Sequence, residues 1–323
     1  MASEPSGRAL AIAATSPSRA SFVVGVGFVV VSAIAFSAKA VMAKLAYQHG
    51  VDALQVLALR MGFALPVYLL VLAARSRSEA RPLTRRELAA IALLGVIGYY
   101  LASLFDFLGL QHISAGLERL ILFVYPTLVA LFEALLFGRR LTRVQVVALI
   151  LTYVGIAVVF RSEVGHGGDD VALGAMLVFA SAVVYAVYLV GSGQLIPRVG
   201  SERFTALALS VSALCTLGHA AVAGRSVTGL PREVYELGLL LAFLATVLPT
   251  FLLAAGIRRI GSGPAGIVGT VGPVSTVFLA HVFLGEPVTL PQVLGALLVL
   301  AGATLVALGR PTNIAPHQST VTR

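Results

Sequence analysis

Gly138-Arg139-Arg140-Leu141-Thr142-Arg143 and Gly285-Glu286-Pro287-Val288-Thr289-Leu290 are one loop written twice, once with three arginines and once with none. The two copies lie 147 positions apart, and at that offset residues 109–159 align with 256–306 without a gap. Gly109, Ile113, Gly116, Val124, Pro126, Gly138, Thr142, Gln145, Val146, Leu151, Gly155 and Val159 meet identical residues at Gly256, Ile260, Gly263, Val271, Pro273, Gly285, Thr289, Gln292, Val293, Leu298, Gly302 and Val306. Any two apolar helices share Leu and Val. Pro, Gly, Thr and Gln held in common register mark a true internal repeat, which frames every later inference. Ser32-Ala33 against Ser181-Ala182, with Phe36 against Tyr185, extends the match upstream at a similar offset.

Around these loops the chain is a succession of apolar stretches, each near the roughly 20 residues that a helix needs to cross a bilayer. Ten are expected, at 22–45, 54–74, 88–110, 115–137, 144–160, 171–195, 204–222, 234–255, 264–284 and 290–308. Each repeat thus holds five spans, and five is odd, so the second half is expected to sit upside down relative to the first. The domains are then 22–160 and 171–308, joined by an outer linker at 161–170, with tails at 1–21 and 309–323. The basic residues agree. With both termini in the cytoplasm, sixteen of the 23 Lys and Arg fall on that side, four on the other and three within spans. Such a bias is how cytoplasmic loops are marked. Inverted repeats with a site at their interface are the architecture of many secondary transporters.

Composition excludes the soluble classes. Of 323 residues, 58% are hydrophobic and 11% charged, with a mean hydropathy of +0.96. A soluble domain carries about 25% charged residues; this chain must present much of its surface to lipid. The net charge of +9 does not point to nucleic acid, because the basic residues recur in short clusters between apolar runs. Cys215 is the single cysteine, so no intrachain disulfide forms and no metal cluster is expected. Gly261-Ser262-Gly263-Pro264-Ala265-Gly266 spells a dinucleotide-binding fingerprint, but no strand–helix–strand unit surrounds it and no cofactor is expected. Arg far outnumbers Lys in an Ala- and Gly-rich chain, which suggests a bacterial inner membrane.

The repeated segment resembles the EamA-type family of the drug/metabolite transporter superfamily. Gly285-Glu286-Pro287 with Thr289, Gln292, Gly295 and Gly302 carries the likeness, Gly109 through Gly155 matches the same pattern, and Arg60 falls where the family often has an arginine. The resemblance implies ten helices around a central cavity, alternating access, and export of amino acids or related metabolites. The chain departs from the family at Phe36-Ser37-Ala38-Lys39, where Trp-Gly-x-Asn is common, and at Gly138-Arg139-Arg140. Tyr125 and Gly272 stand before Pro126 and Pro273, where the family often has Glu.

Candidate site residues follow from the cost of burying charge. An ionisable group within a span costs roughly 2.5–3.5 kcal/mol on insertion scales and usually faces the interior. Here these groups are Lys39, Arg60, Asp106, Glu118, Arg119 and Glu133. Two readings stand: they pair off merely to fasten helices, or they hold substrate and coupling ion. Lys39 is the first choice for substrate contact, because no carboxylate lies one turn from it along span one. Glu118 also suits the first turn of a helix. Glu133 is a candidate for proton coupling, Arg60 for reaching the interface by snorkelling, and Tyr125 for lining a cavity. Pro126 and Pro273, as repeat mates, are candidate hinges, each freeing a carbonyl one turn back.

The expected function is secondary transport of small polar metabolites such as amino acids, with protons as a candidate coupling partner. An exchanger of anionic or phosphorylated metabolites is the near alternative, favoured by Lys39, Arg60 and Arg119. A membrane-embedded enzyme is the alternative of another class, and no catalytic cluster supports it. The expected partners are the lipid bilayer and a small-molecule substrate.

Overall fold

The computed structural model describes residues 19–78, 82–138, 141–167 and 169–308. The expected tails, apart from 19–21, and Arg139 and Arg140 of the basic loop lie outside the described residues. Within them the chain is helical, with no strand. Among the described residues nine helices are long and apolar enough to cross a membrane: span one Arg19–Tyr47, two Ala53–Ala74, three Arg85–Leu110, four Ala115–Phe137, five Arg143–Gly165, six Asp170–Val199, seven Ser201–Val222, eight Arg232–Ile260 and nine Pro264–Leu284. Span ten, Leu290–Leu308, is shorter but equally apolar. The helix of span five continues to Gly167, so most of the stretch expected as a linker is helical.

Large apolar side chains face outward along the spans, as at Leu136, Phe278 and Leu297. Serines, threonines and charges are turned inward, at Ser37, Arg60, Asp106, Glu118 and Thr276. Lipid outside makes this the favourable arrangement, since a buried polar group must find its partner within the protein.

The two halves interlock. Span one packs on eight and three on six, while two packs on seven and five on ten. These contacts are reciprocal in detail. The Ser32 hydroxyl donates to the Pro249 carbonyl at 2.8 Å, and its repeat mate Ser181 donates to the Ala102 carbonyl at 2.7 Å. Spans five and ten touch through glycine: a Cβ on Gly155 would lie 2.6 Å from the Gly295 oxygen, and one on Gly302 2.7 Å from the Ala148 oxygen. As one partner number rises the other falls, so these two helices run antiparallel. Small residues allow this approach, which is how helices associate where lipid offers no hydrophobic drive.

Local geometry repeats as well. Spans three and eight each contain a π-helical turn, Val96–Leu101 and Phe243–Val247. Gly138 and Gly285 end spans four and nine in the left-handed region, at φ 65° and 68°, where a side chain would be strained. Thr142 and Gln145 cap span five through bonds of 2.9 and 3.2 Å, and Thr289 and Gln292 cap span ten at 3.5 and 3.4 Å.

Spans four and nine are both broken. Span four is Ala115–Leu122 followed by Tyr125–Phe137, and span nine has Ser262–Val268 followed by Val271–Leu284. The sequence suggests a proline kink within a continuous helix. Instead Pro126 and Pro273 sit in the first turn of each second segment, where a missing N–H loses no helical bond. Across the break of span four, Val124 O accepts from Thr127 N and Leu128 N at 3.0 and 3.1 Å, which starts the second segment.

Candidate substrate site

Glu118 is placed by the start of span four. Ser114 takes extended backbone there and its hydroxyl accepts from Leu117 N at 3.0 Å, which fixes the first turn. That turn aims Glu118 into the bundle, where it is wholly buried. From span one Lys39 reaches the same point, forming an ion pair with Asp106 of span three and lying 3.1 Å from Glu118. Lys39 has no carboxylate on its own helix, but tertiary packing supplies two from others. The premise that singled it out therefore holds only along span one, and Lys39 is not an isolated cation.

Two carboxylates thus share one ammonium. Asp106 Oδ1 and both oxygens of Glu118 find no hydrogen-bond donor among the described residues. Glu118 is within ion-pair distance of Lys39, yet the contact is not aligned as a hydrogen bond. Phe107 forms one wall, its ring centroid 5.9 Å from the Lys39 ammonium and 5.4 Å from the Arg60 guanidinium. Tyr47 donates to the Phe107 carbonyl at 2.9 Å and steadies that wall.

Arg60 does not snorkel. It is buried, and its Nε donates to the Thr246 hydroxyl at 2.7 Å. Thr246 stands in the π-helical turn of span eight and itself donates to the Leu241 carbonyl at 2.7 Å. Turns of this kind often mark functional positions. Interior packing across the two halves therefore outcompetes the interface for Arg60.

Arg119 leaves the cluster and crosses toward span nine. A Cβ at Gly272 would lie 2.7 Å from its Nη2, so glycine makes room for the guanidinium beside the break. Its Nε has no acceptor among the described residues, and its Cζ lies 5.7 Å from the Phe123 ring centroid. Ser37 ties span one to the same place, donating to Gly272 O at 2.7 Å and Ala33 O at 2.6 Å.

The other candidates lie apart. Tyr125 joins an aromatic file, 6.3 Å from Phe123 and 5.4 Å from Tyr185 between centroids, which continues through Tyr188 to Tyr99. Glu133 is half-buried in the second segment of span four, fifteen residues beyond Glu118 and so about 22 Å further along a helix axis. The structure brings Lys39, Asp106 and Glu118 together, sets Arg119 one step away, and leaves Glu133 outside. Thr246 carried no signal in the sequence, because a π-helical turn leaves no spacing pattern.

A many-span helical bundle with charge gathered inside and apolar side chains outside is a multi-pass membrane protein. The model of the EamA-like transporter family matches residues 23–161 and again 172–308, so the chain belongs to that family and is a membrane transporter. It is 31% identical to the uncharacterized transporter YcbK of Bacillus subtilis (strain 168) over 84% of this chain and 88% of that one. With the uncharacterized transporter YvbV of the same organism it shares 30% identity over 62% of this chain and 65% of that one. A solved crystal structure matches with a TM-score of 0.56 at 19% identity, covering 90% of this chain and 98% of the other, which speaks for the fold alone.

Proposed function

We propose that this chain is a secondary transporter that exports small zwitterionic metabolites, amino acids first, by alternating access between two inverted halves. The observation that carries the substrate class is the set of atoms without partners. Asp106 Oδ1 and Glu118 Oε2, which no hydrogen bond or ion pair engages among the described residues, suit a substrate ammonium; the unmatched Nε of Arg119 suits its carboxylate. Two carboxylates on one ammonium leave one negative charge over, which either a substrate ammonium or a proton neutralises. Competition between them is the basis of exchange, and it assigns proton coupling to the Asp106–Glu118 pair rather than to Glu133.

Inversion is supported by the antiparallel contact of spans five and ten and by the reciprocal Ser32 and Ser181 bonds. The broken spans four and nine are then the elements that move, with Pro126 and Pro273 at their hinges. The charge bias supports cytoplasmic termini, and the Arg-, Ala- and Gly-rich composition supports a bacterial inner membrane. Residues 47, 110, 115 and 286 then mark the outward end.

Exchange of anionic or phosphorylated metabolites is the weaker reading, since Lys39 is engaged by two acids and Arg60 by Thr246. Counterflow into proteoliposomes decides between them. Labelled amino acids should enter vesicles preloaded with the same pool, and organic phosphates should not. Counterflow of phosphates alone would reverse the assignment. A thermal-shift screen against metabolite pools would name the substrate, because a ligand that binds the folded state raises its stability.

A further inference from the structure

About one turn nearer the outward end of the bundle than the cluster, a second polar network joins the two halves. Lys44 Nζ lies 2.9 Å from Glu286 Oε1 and donates to the Ile113 carbonyl at 2.9 Å. Both Glu286 oxygens accept from Ala115 N at 3.1 Å, at the open N-terminus of span four. Glu163 at the end of span five accepts from the Ser114 hydroxyl, and from Ser114 N at 3.3 Å. Glu286 belongs to the second half; Lys44, Ser114, Ala115 and Glu163 belong to the first.

We propose that Glu286, held by Lys44 and by the N-terminus of span four, is a latch that keeps the outward end of the transporter shut. This rests on the alternating-access reading. Three features make it a latch rather than a fixed brace. It crosses between halves that must separate for the outward end to open. It is partly wet, with side-chain exposures of 26% at Lys44 and 15% at Glu286. A 350 Å³ cavity lined by Ser114, Glu163, Glu286, Thr289 and Gln292 lies directly on it. Water can therefore take over each contact as it breaks, unlike the dry Lys39 cluster.

The sequence also makes the latch one-sided. Under the repeat offsets, Lys44, Glu286, Ser114 and Glu163 correspond to Gly193, Arg139, Gly261 and Arg310. No acid stands at any of these four positions, and Lys44 is matched by glycine. The fold is duplicated while the charges that close one end are not, so the resting transporter is biased toward its inward-open state.

The test uses the full chain with Cys215→Ser and a reporter, Ser37→Cys, beneath the latch, labelled from either side of oriented vesicles with a membrane-impermeant thiol reagent. Lys44→Met and Glu286→Gln should each raise the outside labelling rate about five- to tenfold and lower the inside rate by a similar factor. Lys44→Arg, which keeps the charge, should label as the parent does. Parental labelling in both Lys44→Met and Glu286→Gln overturns the latch, and so does a rise in Lys44→Arg equal to that in Lys44→Met. A reporter unreactive from both sides in every variant would overturn alternating access along with it. A reactive reporter that does not shift overturns the latch alone.

Discussion

Replacing Lys39 by Met removes the ammonium and keeps much of the side chain's volume. Asp106 and Glu118 then face each other with side-chain exposures of 4% and 0% and no cation between them. Breaking a buried ion pair from one side costs about 3–5 kcal/mol, because the survivor remains buried and uncompensated. Here two acids survive, so Lys39→Met should lose at least the lower figure, about 3 kcal/mol, in reversible SDS unfolding of purified protein. The double variant Lys39→Met/Asp106→Asn removes one stranded charge and should recover about half of the loss. Residues in contact are expected to be non-additive in this way. Both variants should lose counterflow. The reasoning is refuted if Lys39→Met unfolds at the parental SDS fraction, or if the double variant is no more stable than the single.

Gly302→Val would drive a Cβ to within 2.3 Å of Thr152 Oγ1 and 2.7 Å of the Ala148 carbonyl; overpacking of this kind should cost about 1–3 kcal/mol, read in the same unfolding assay, with Gly155→Val behaving alike. Single cysteines at Arg143 and Pro287, in a Cys215→Ser background, should label from the cytoplasm and from outside respectively, and either one on the wrong side would reject the orientation. Pro126→Ala and Pro273→Ala should leave stability within about 1 kcal/mol, because each proline occupies a first turn. They should bias cavity access toward opposite sides, whereas parental labelling and flux in both would make the prolines static. Arg60→Met should remove the donor to the Thr246 hydroxyl and impair expression more than Arg60→Lys, as quantified by membrane abundance.

How much of this was legible beforehand depends on the range of the interaction. Apolar runs of bilayer length, the 147-residue repeat and the Gly138 and Gly285 stops are local or self-similar signals. They set the ten expected spans, most of their limits to within a few residues though not the end of span five, and the family likeness before any contact was known. The alternation of arginine clusters set the expected orientation for the same reason, since each loop is read by its own composition. Partnership between spans is not local. Nothing along span one tells Lys39 that Asp106 and Glu118 wait on two other helices, or Arg60 that a π-helical turn will present Thr246. Nor does a proline announce whether its helix will bend or break; the turn at Phe123–Val124 depends on bonds closed around Val124. Sequence by itself thus determined which segments are apolar enough to cross a membrane and that they come as two copies. Only the tertiary structure decided which buried charges neutralise one another and which are left over, because that balance is struck between helices, at distances of about 3 Å.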